Sequence, residues 1–134
     1  WMHQDRSSRC VVETDTETGS GPAVIVTVGN ANQWGNEARI VPNASLRDGL
    51  LDVTVVEPFA TWEIPGLAAL LMTGKADRSR RVRMFRSAHV HIRRDHSGPA
   101  HLDGDPFEAG VDLDLEIVPG TLDVVVPPSR LENI

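Results

Sequence analysis

Asp112-Leu113-Asp114-Leu115-Glu116-Ile117-Val118 alternates carboxylate and apolar side chain through its first six positions. Successive side chains of a strand point to opposite faces, so Leu113, Leu115 and Ile117 share one side and the carboxylates the other. That is the pattern of a half-buried antiparallel strand. Pro119-Gly120 then turns the chain into Leu122-Asp123-Val124-Val125-Val126, which predicts a hairpin from strands over 111–118 and 121–126.

Apolar residues elsewhere alternate or fall in short β-branched runs. Further strands are expected over 11–13, 23–29, 37–41, 50–57, 81–86, 88–94 and 100–102. A single helix is expected over 65–73. Pro65 suits its first turn, Leu67, Leu70 and Leu71 form a stripe, and Gly74 stands where a C-terminal cap belongs. The stretch 13–22 is rich in Thr, Gly, Ser and acids and reads as a loop. The fold class is therefore mainly β, an antiparallel β-sandwich-like domain with one short helix. Residues 1–22 are expected to be a frayed N-terminal segment and loop, and 23–134 the sandwich domain.

The chain has 134 residues, enough for one domain with a real core, and 40% hydrophobic with 24% charged residues is ordinary globular composition. Its formal net charge of −6 argues against a nucleic-acid partner. One local exception is the basic stretch from Lys75 through Arg78, Arg80 and Arg81 to Arg83, suited to phosphate or anionic lipid head groups unless it is simply a solvated loop. Cys10 is the only cysteine, so no internal disulfide is possible. No apolar run approaches the about 20 residues that span a bilayer, and a cytoplasmic protein is expected. The opening Trp1-Met2-His3-Gln4 does not read as a natural start, so a fragment of a longer protein is expected.

Two Asp-Gly turns carry the candidate chemistry. The first is Asp48-Gly49, six residues after Pro42, and the second Asp103-Gly104-Asp105, with Glu108 three residues on. A turn that exposes a carboxylate and main-chain carbonyls can hold a hard cation such as Mg²⁺. A partly desolvated carboxylate on a turn can also act as a general base towards a hydroxyl. The plainer alternative in both places is a carboxylate that stabilises its own turn. His89 and His91 share one strand face without a third ligand at convincing spacing, so a structural role is expected and zinc is not supported. The loop from Gly29 and Asn30 to Trp34, Gly35 and Asn36 lacks the Gly-Lys-Ser/Thr ending of a phosphate loop. It shapes a pocket edge or merely joins two strands.

In order, Val26-Thr-Val-Gly-Asn30, Gly35, Arg39-Ile-Val-Pro42-Asn-Ala44, Asp48-Gly-Leu-Leu-Asp-Val53, the Leu-rich helix, Leu102-Asp-Gly-Asp105 and the closing Val118–Pro127 string resemble the C-terminal domain of diacylglycerol kinase and sphingosine kinase-type lipid kinases. The resemblance implies a β-sandwich that completes a cleft and helps form a lipid site. It also implies that ATP is bound mainly by an N-terminal domain, whose Gly-Gly-Asp-Gly-Thr loop is absent from this chain. Carried over residue by residue, it implies a Mg²⁺ held by the Asp48 side chain with the carbonyls of Ser45 and Leu50. It places Asp105 where the family has a glutamate proposed as the base for the lipid hydroxyl. Aspartate is one methylene shorter, and Asn36 and Glu37 stand where the family is glycine-rich.

The implied partners are a lipid substrate, ATP in the whole protein and, peripherally, a membrane surface; an open sheet edge would also permit a homodimer. The isolated chain is expected to be inactive. A non-catalytic lipid-binding module and a related kinase of a soluble substrate remain as alternatives.

Overall fold

A computed structural model describes residues 8–31, 44–121, 123 and 125. Among these are nine strands and one α-helix: β1 (Ser8–Thr14), β2 (Thr18–Ala23), β3 (Ile25–Gly29), β4 (Leu51–Val56), α1 (Ile64–Met72), β5 (Val82–Ser87), β6 (His89–Arg94), β7 (Gly98–Leu102), β8 (Asp105–Ala109) and β9 (Asp112–Glu116). Every described pairing is antiparallel. One sheet runs β2-β1-β6-β9, a second β3-β4-β5, and β7-β8 is a separate two-stranded ribbon. The sandwich-like, mainly β class with one short helix is what the sequence predicted.

The first two sheets face each other across the main core. Cys10 and Val12 of β1, Val90 and Ile92 of β6, Val53 and Val55 of β4 and Phe85 of β5 meet there, with Leu113 and Leu115 of β9 packed alongside. The alternation in 112–116 thus has the predicted polarity. β4 is central to its sheet and covered on both sides. Its other face sends Val56 into a second cluster with Leu67 of α1, Ala76 and Val82, and Phe59, Leu71 and Met84 close around it. Val53 and Val55 have no exposed surface, and burying a side chain of that size is worth about 1.5–3 kcal/mol.

α1 lies one residue earlier than predicted, with Pro65 in its first turn. It ends as the sequence implies. Gly74 takes a φ of 68°, its N–H donates to Leu71 O at 3.3 Å, and Lys75 N–H donates to Leu70 O at 2.8 Å. Those bonds satisfy carbonyls that the helix end would otherwise leave open. At the other end Glu63 Oε2 accepts the Ala60 N–H at 2.7 Å.

The stretch 13–22 is not a loop: from Thr18 it is β2, and from Ser8 the segment expected to be frayed is one arm of a hairpin. Thr14 closes that hairpin, its hydroxyl accepting the Glu17 N–H at 3.0 Å and donating to Glu17 O at 2.8 Å. β2 is an edge strand, the position in a sheet that tolerates a proline such as Pro22. Gly19 lets it sit against the second sheet, since a Cβ there would fall 2.3 Å from Phe85 Cζ. Arg83 Nη1 adds a bond to Ser20 O at 3.2 Å. β8 was not predicted at all. The expected strand over 37–41 and the second arm of the 111–126 hairpin lie outside the described residues or on their border.

Candidate functional site

The first Asp-Gly turn feeds β4. Asp48 Oδ1 accepts the Leu50 N–H at 3.0 Å, which is the local bond that makes aspartate a turn residue. Gly49 takes a φ of 69°, a conformation in which a Cβ is strained. Ser45 Oγ accepts the Arg47 N–H at 3.3 Å, and both Ser45 and Leu50 are half-buried. So far the plain reading suffices, but Asp48 also has a distant partner. Arg86 Nη2 of β5 lies 3.3 Å from Asp48 Oδ2, while its Nε donates to Asp52 Oδ1 at 3.2 Å.

Strand register explains the convergence. Asp52 and Arg86 are direct cross-strand partners on β4 and β5, close enough for their side chains to meet. One guanidinium thereby holds two carboxylates. Asp52 is buried, and its Oδ2 has no hydrogen-bond partner among the described residues. Burial pushes the Asp52 carboxyl above the usual carboxylate range, Arg86 opposes that shift, and Asp48 adds to it. Among the described residues, two carboxylates face one arginine here, a local excess of negative charge.

That donor set suits a hard cation. Each Asp48 oxygen makes one described contact and retains acceptor capacity, and the turn adds main-chain carbonyls. Among the described residues no group of three or more His, Cys, Asp or Glu side chains is arranged to hold a metal. A cation here would therefore rest on Asp48, carbonyl oxygens and water, a combination that Mg²⁺ accepts.

The second Asp-Gly turn is built differently. β7 and β8 pair Leu102 with Asp105 and His101 with Pro106, leaving Asp103 and Gly104 as a two-residue loop with φ values of 51° and 98°. Two positive φ values match the twist of a tight hairpin and explain the Asp-Gly choice. Asp105 and Glu108 are exposed. The Asp105 side chain makes no hydrogen bond or ion pair among the described residues. The ribbon is moored at its base, where Arg94 Nη2 donates to Ala109 O and Gly110 O, both at 2.7 Å. No described hydrogen bond or ion pair joins this turn to the first.

His89 and His91 do share the outer face of β6, but carboxylates engage them. His91 Nδ1 is 2.6 Å from Asp114 Oδ1 and its Nε2 3.3 Å from Asp112 Oδ1. His89 Nδ1 is 3.4 Å from Asp15 Oδ1, and Asp15 Oδ2 accepts the Ser87 hydroxyl at 2.6 Å. Asp114, with Asp112 and Glu13 nearby, holds the His91 imidazolium and raises its pKa above the ordinary 6.5. With Glu13, Asp15, Asp114 and Glu116 these histidines line an open cleft of about 570 Å³. Cys10 is buried and burial raises its thiol, which makes it unreactive. Of the Gly29–Asn36 loop, only its first three residues are described; Trp34, Asn36 and Glu37 lie outside.

Sequence reasoning missed Arg86 and Asp52. Asp52 carried a signal: in a strand over 50–57 it falls on the face opposite Leu51 and Val53. Nothing local marked Arg86, whose role depends on β5 pairing with β4.

Comparison with known proteins agrees with this architecture. Residues 2–126 match the family described as the YegS C-terminal NAD kinase beta sandwich-like domain. Over 118 residues the chain is 27% identical to a probable lipid kinase YegS-like of Shewanella frigidimarina, covering 88% of this chain and 38% of that protein. Over 121 residues it is 31% identical to the probable lipid kinase YegS of Escherichia coli O9:H4, covering 90% and 38%. It thus spans about two fifths of these relatives. A putative diacylglycerol kinase from Bacillus anthracis has the same fold, with a TM-score of 0.65 at 20% identity over 86% of this chain and 39% of that one. By the match over nearly its whole length, this chain belongs to the family of YegS C-terminal NAD kinase beta sandwich-like domains.

Proposed function

We propose that this chain is the cleft-completing, lipid-binding domain of an ATP-dependent kinase that phosphorylates a lipid hydroxyl such as that of diacylglycerol. Its nucleotide would be bound mainly by a preceding domain of a longer cytoplasmic protein. The observation that carries the reading is the first Asp-Gly turn, its carboxylate held by Arg86 together with Asp52, in a chain whose family relatives are named probable lipid kinases.

Phosphoryl transfer depends mainly on positioning and charge neutralisation. The Asp48 carboxylate, with the carbonyls of Ser45 and Leu50, would hold Mg²⁺ at the cleft rim. When bound, the metal supplies positive charge near the phosphates. Arg86 acts on Asp48 rather than on substrate, fixing the direction of its carboxylate. Asp105 serves as the base: its oxygen takes the proton as the lipid oxygen bonds to the γ-phosphorus and the bond to ADP breaks. The exposed hairpin position gives it access to a hydroxyl, and the short side chain requires the ribbon to approach the substrate closely.

The test uses the full-length protein with diacylglycerol in detergent micelles and labelled ATP. Asp105→Asn is expected to lower kcat by about 10²-fold or more, and Asp48→Asn to raise the Mg²⁺ concentration needed for half-maximal rate. The isolated chain should show no lipid phosphorylation. An Asp105→Asn enzyme with a kcat near wild type would overturn the assignment of the base.

A further inference from the structure

α1 is apolar on every side, yet only Leu67 of it is buried. A helix of that composition is ordinarily enclosed. Here Leu67 and Leu71 face the second core cluster, while Pro65, Ala68, Ala69 and Met72 face outward. Trp62, one turn earlier, is 83% exposed, and Met72 is 63% exposed. α1 has 9 residues, and among the described residues no helix is long and apolar enough to cross a membrane.

The charges beside this face are divided in a telling way. Arg81 is bound to Glu63 through two contacts of 3.0 and 3.1 Å, and Arg83 to Glu57 at 2.8 Å. Lys75, Arg78 and Arg80 are exposed and have no ion-pair partner among the described residues. Only Asp77 stands among them, in a chain of net charge −6. An anionic surface would attract this edge and repel the rest of the body, so the charge distribution selects an orientation as well as a partner.

We infer that the outer face of α1, with Trp62, Met72, Lys75, Arg78 and Arg80, is a docking surface for an anionic lipid bilayer. Tryptophan and methionine enter the head-group boundary while the cations meet phosphates, the arrangement of an interfacial helix. The inference rests on the lipid-kinase reading for its purpose, since a lipid substrate must be reached at a surface. Its physical content is independent of catalysis.

Co-sedimentation of the chain with vesicles needs neither ATP nor substrate. Binding is expected to phosphatidylcholine vesicles containing phosphatidylglycerol and to be much weaker with phosphatidylcholine alone. Lys75→Glu/Arg80→Glu should lower the partition coefficient about tenfold or more, and Trp62→Ser about fivefold, roughly what loss of an interfacial aromatic anchor implies. Raised salt should weaken binding. All these side chains are exposed, so circular dichroism of the variants should match wild type.

Absence of binding to the anionic vesicles, or binding indifferent to both variants, overturns the proposal. So does a wild-type dimer that Trp62→Ser converts to a monomer without any change in vesicle binding, because a second copy would then be the occupant. If vesicle binding fails while the full-length protein still phosphorylates lipid in micelles, the docking surface falls and the kinase reading stands. The opposite pair of results separates them the other way.

Discussion

The two Asp-Gly turns share a dipeptide and a positive-φ glycine but differ in what surrounds them. Asp48-Gly49 opens the central strand of a packed sheet, and its carboxylate is held by Arg86 from the neighbouring strand. Asp103-Gly104 closes a two-stranded ribbon whose tip is exposed and whose moorings lie at the far end, around Arg94. A similar local sequence therefore gives a fixed carboxylate in one place and an open one in the other. The proposed roles match that difference: a metal-holding group profits from a fixed direction, and a base that must meet a hydroxyl profits from access.

The largest effect should come from removing the anchor of the first turn. Arg86→Ala leaves buried Asp52 without its guanidinium and releases Asp48. Breaking a buried ion pair costs about 3–5 kcal/mol, but Arg86 is 40% exposed and solvent screens it, so a loss of about 1–2 kcal/mol is expected in urea unfolding. Asp48→Asn added to that variant should cost much less than it does alone. Full additivity would mean that the turn is not held from β5, and the contrast between the two turns would collapse.

A smaller and more local effect is expected at the second turn. Gly104 has a φ of 98°, so Gly104→Ala should cost about 1 kcal/mol. Hydrogen exchange should rise in β7 and β8 while β4 stays protected, because the ribbon forms its own sheet. Equal loss of protection in β4 would show the ribbon to be part of the cooperative core.

The smallest effect concerns β9, which carries neither turn. In the folded chain Asp114, Asp112 and Glu13 raise the His91 pKa above 6.5. Folding then favours the protonated ring, so its stabilising contribution is complete below pH about 6.5 and fades as pH rises through the higher folded value. The urea midpoint of wild type should fall between pH about 6 and about 8 more than that of His91→Gln. Parallel profiles would remove the histidine from the account of how β9 is held.

Sequence disclosed what depends on local pattern. The alternation of 112–116 marked the face that β9 packs inward, and the β-branched stretch of 51–56 marked the central strand. Pro65 and Gly74 bracketed a helix that ends as they imply. The strand of 18–23 was hidden because its glycines and proline carry no apolar alternation; it is a strand by virtue of pairing with β1. β8 begins Asp105-Pro106 and is almost wholly exposed, so burial left no imprint on it. At the candidate site the Asp-Gly dipeptides were legible. The meeting of Asp48, Asp52 and Arg86 was not, since it is made by register across residues 34 to 38 positions apart.

The closeness of β2 to Phe85 couples position 19 to position 85. With 2.3 Å between a hypothetical Cβ and the ring, a side chain at 19 requires the Phe85 ring to shift or shrink. A gain at 19 is therefore conditional on what stands at 85. For an engineer the same constraint reads as an opportunity: Phe85→Leu relieves the tightest contact at residue 19, and Arg83 Nη1, 3.2 Å from that Cβ, is the next to accommodate.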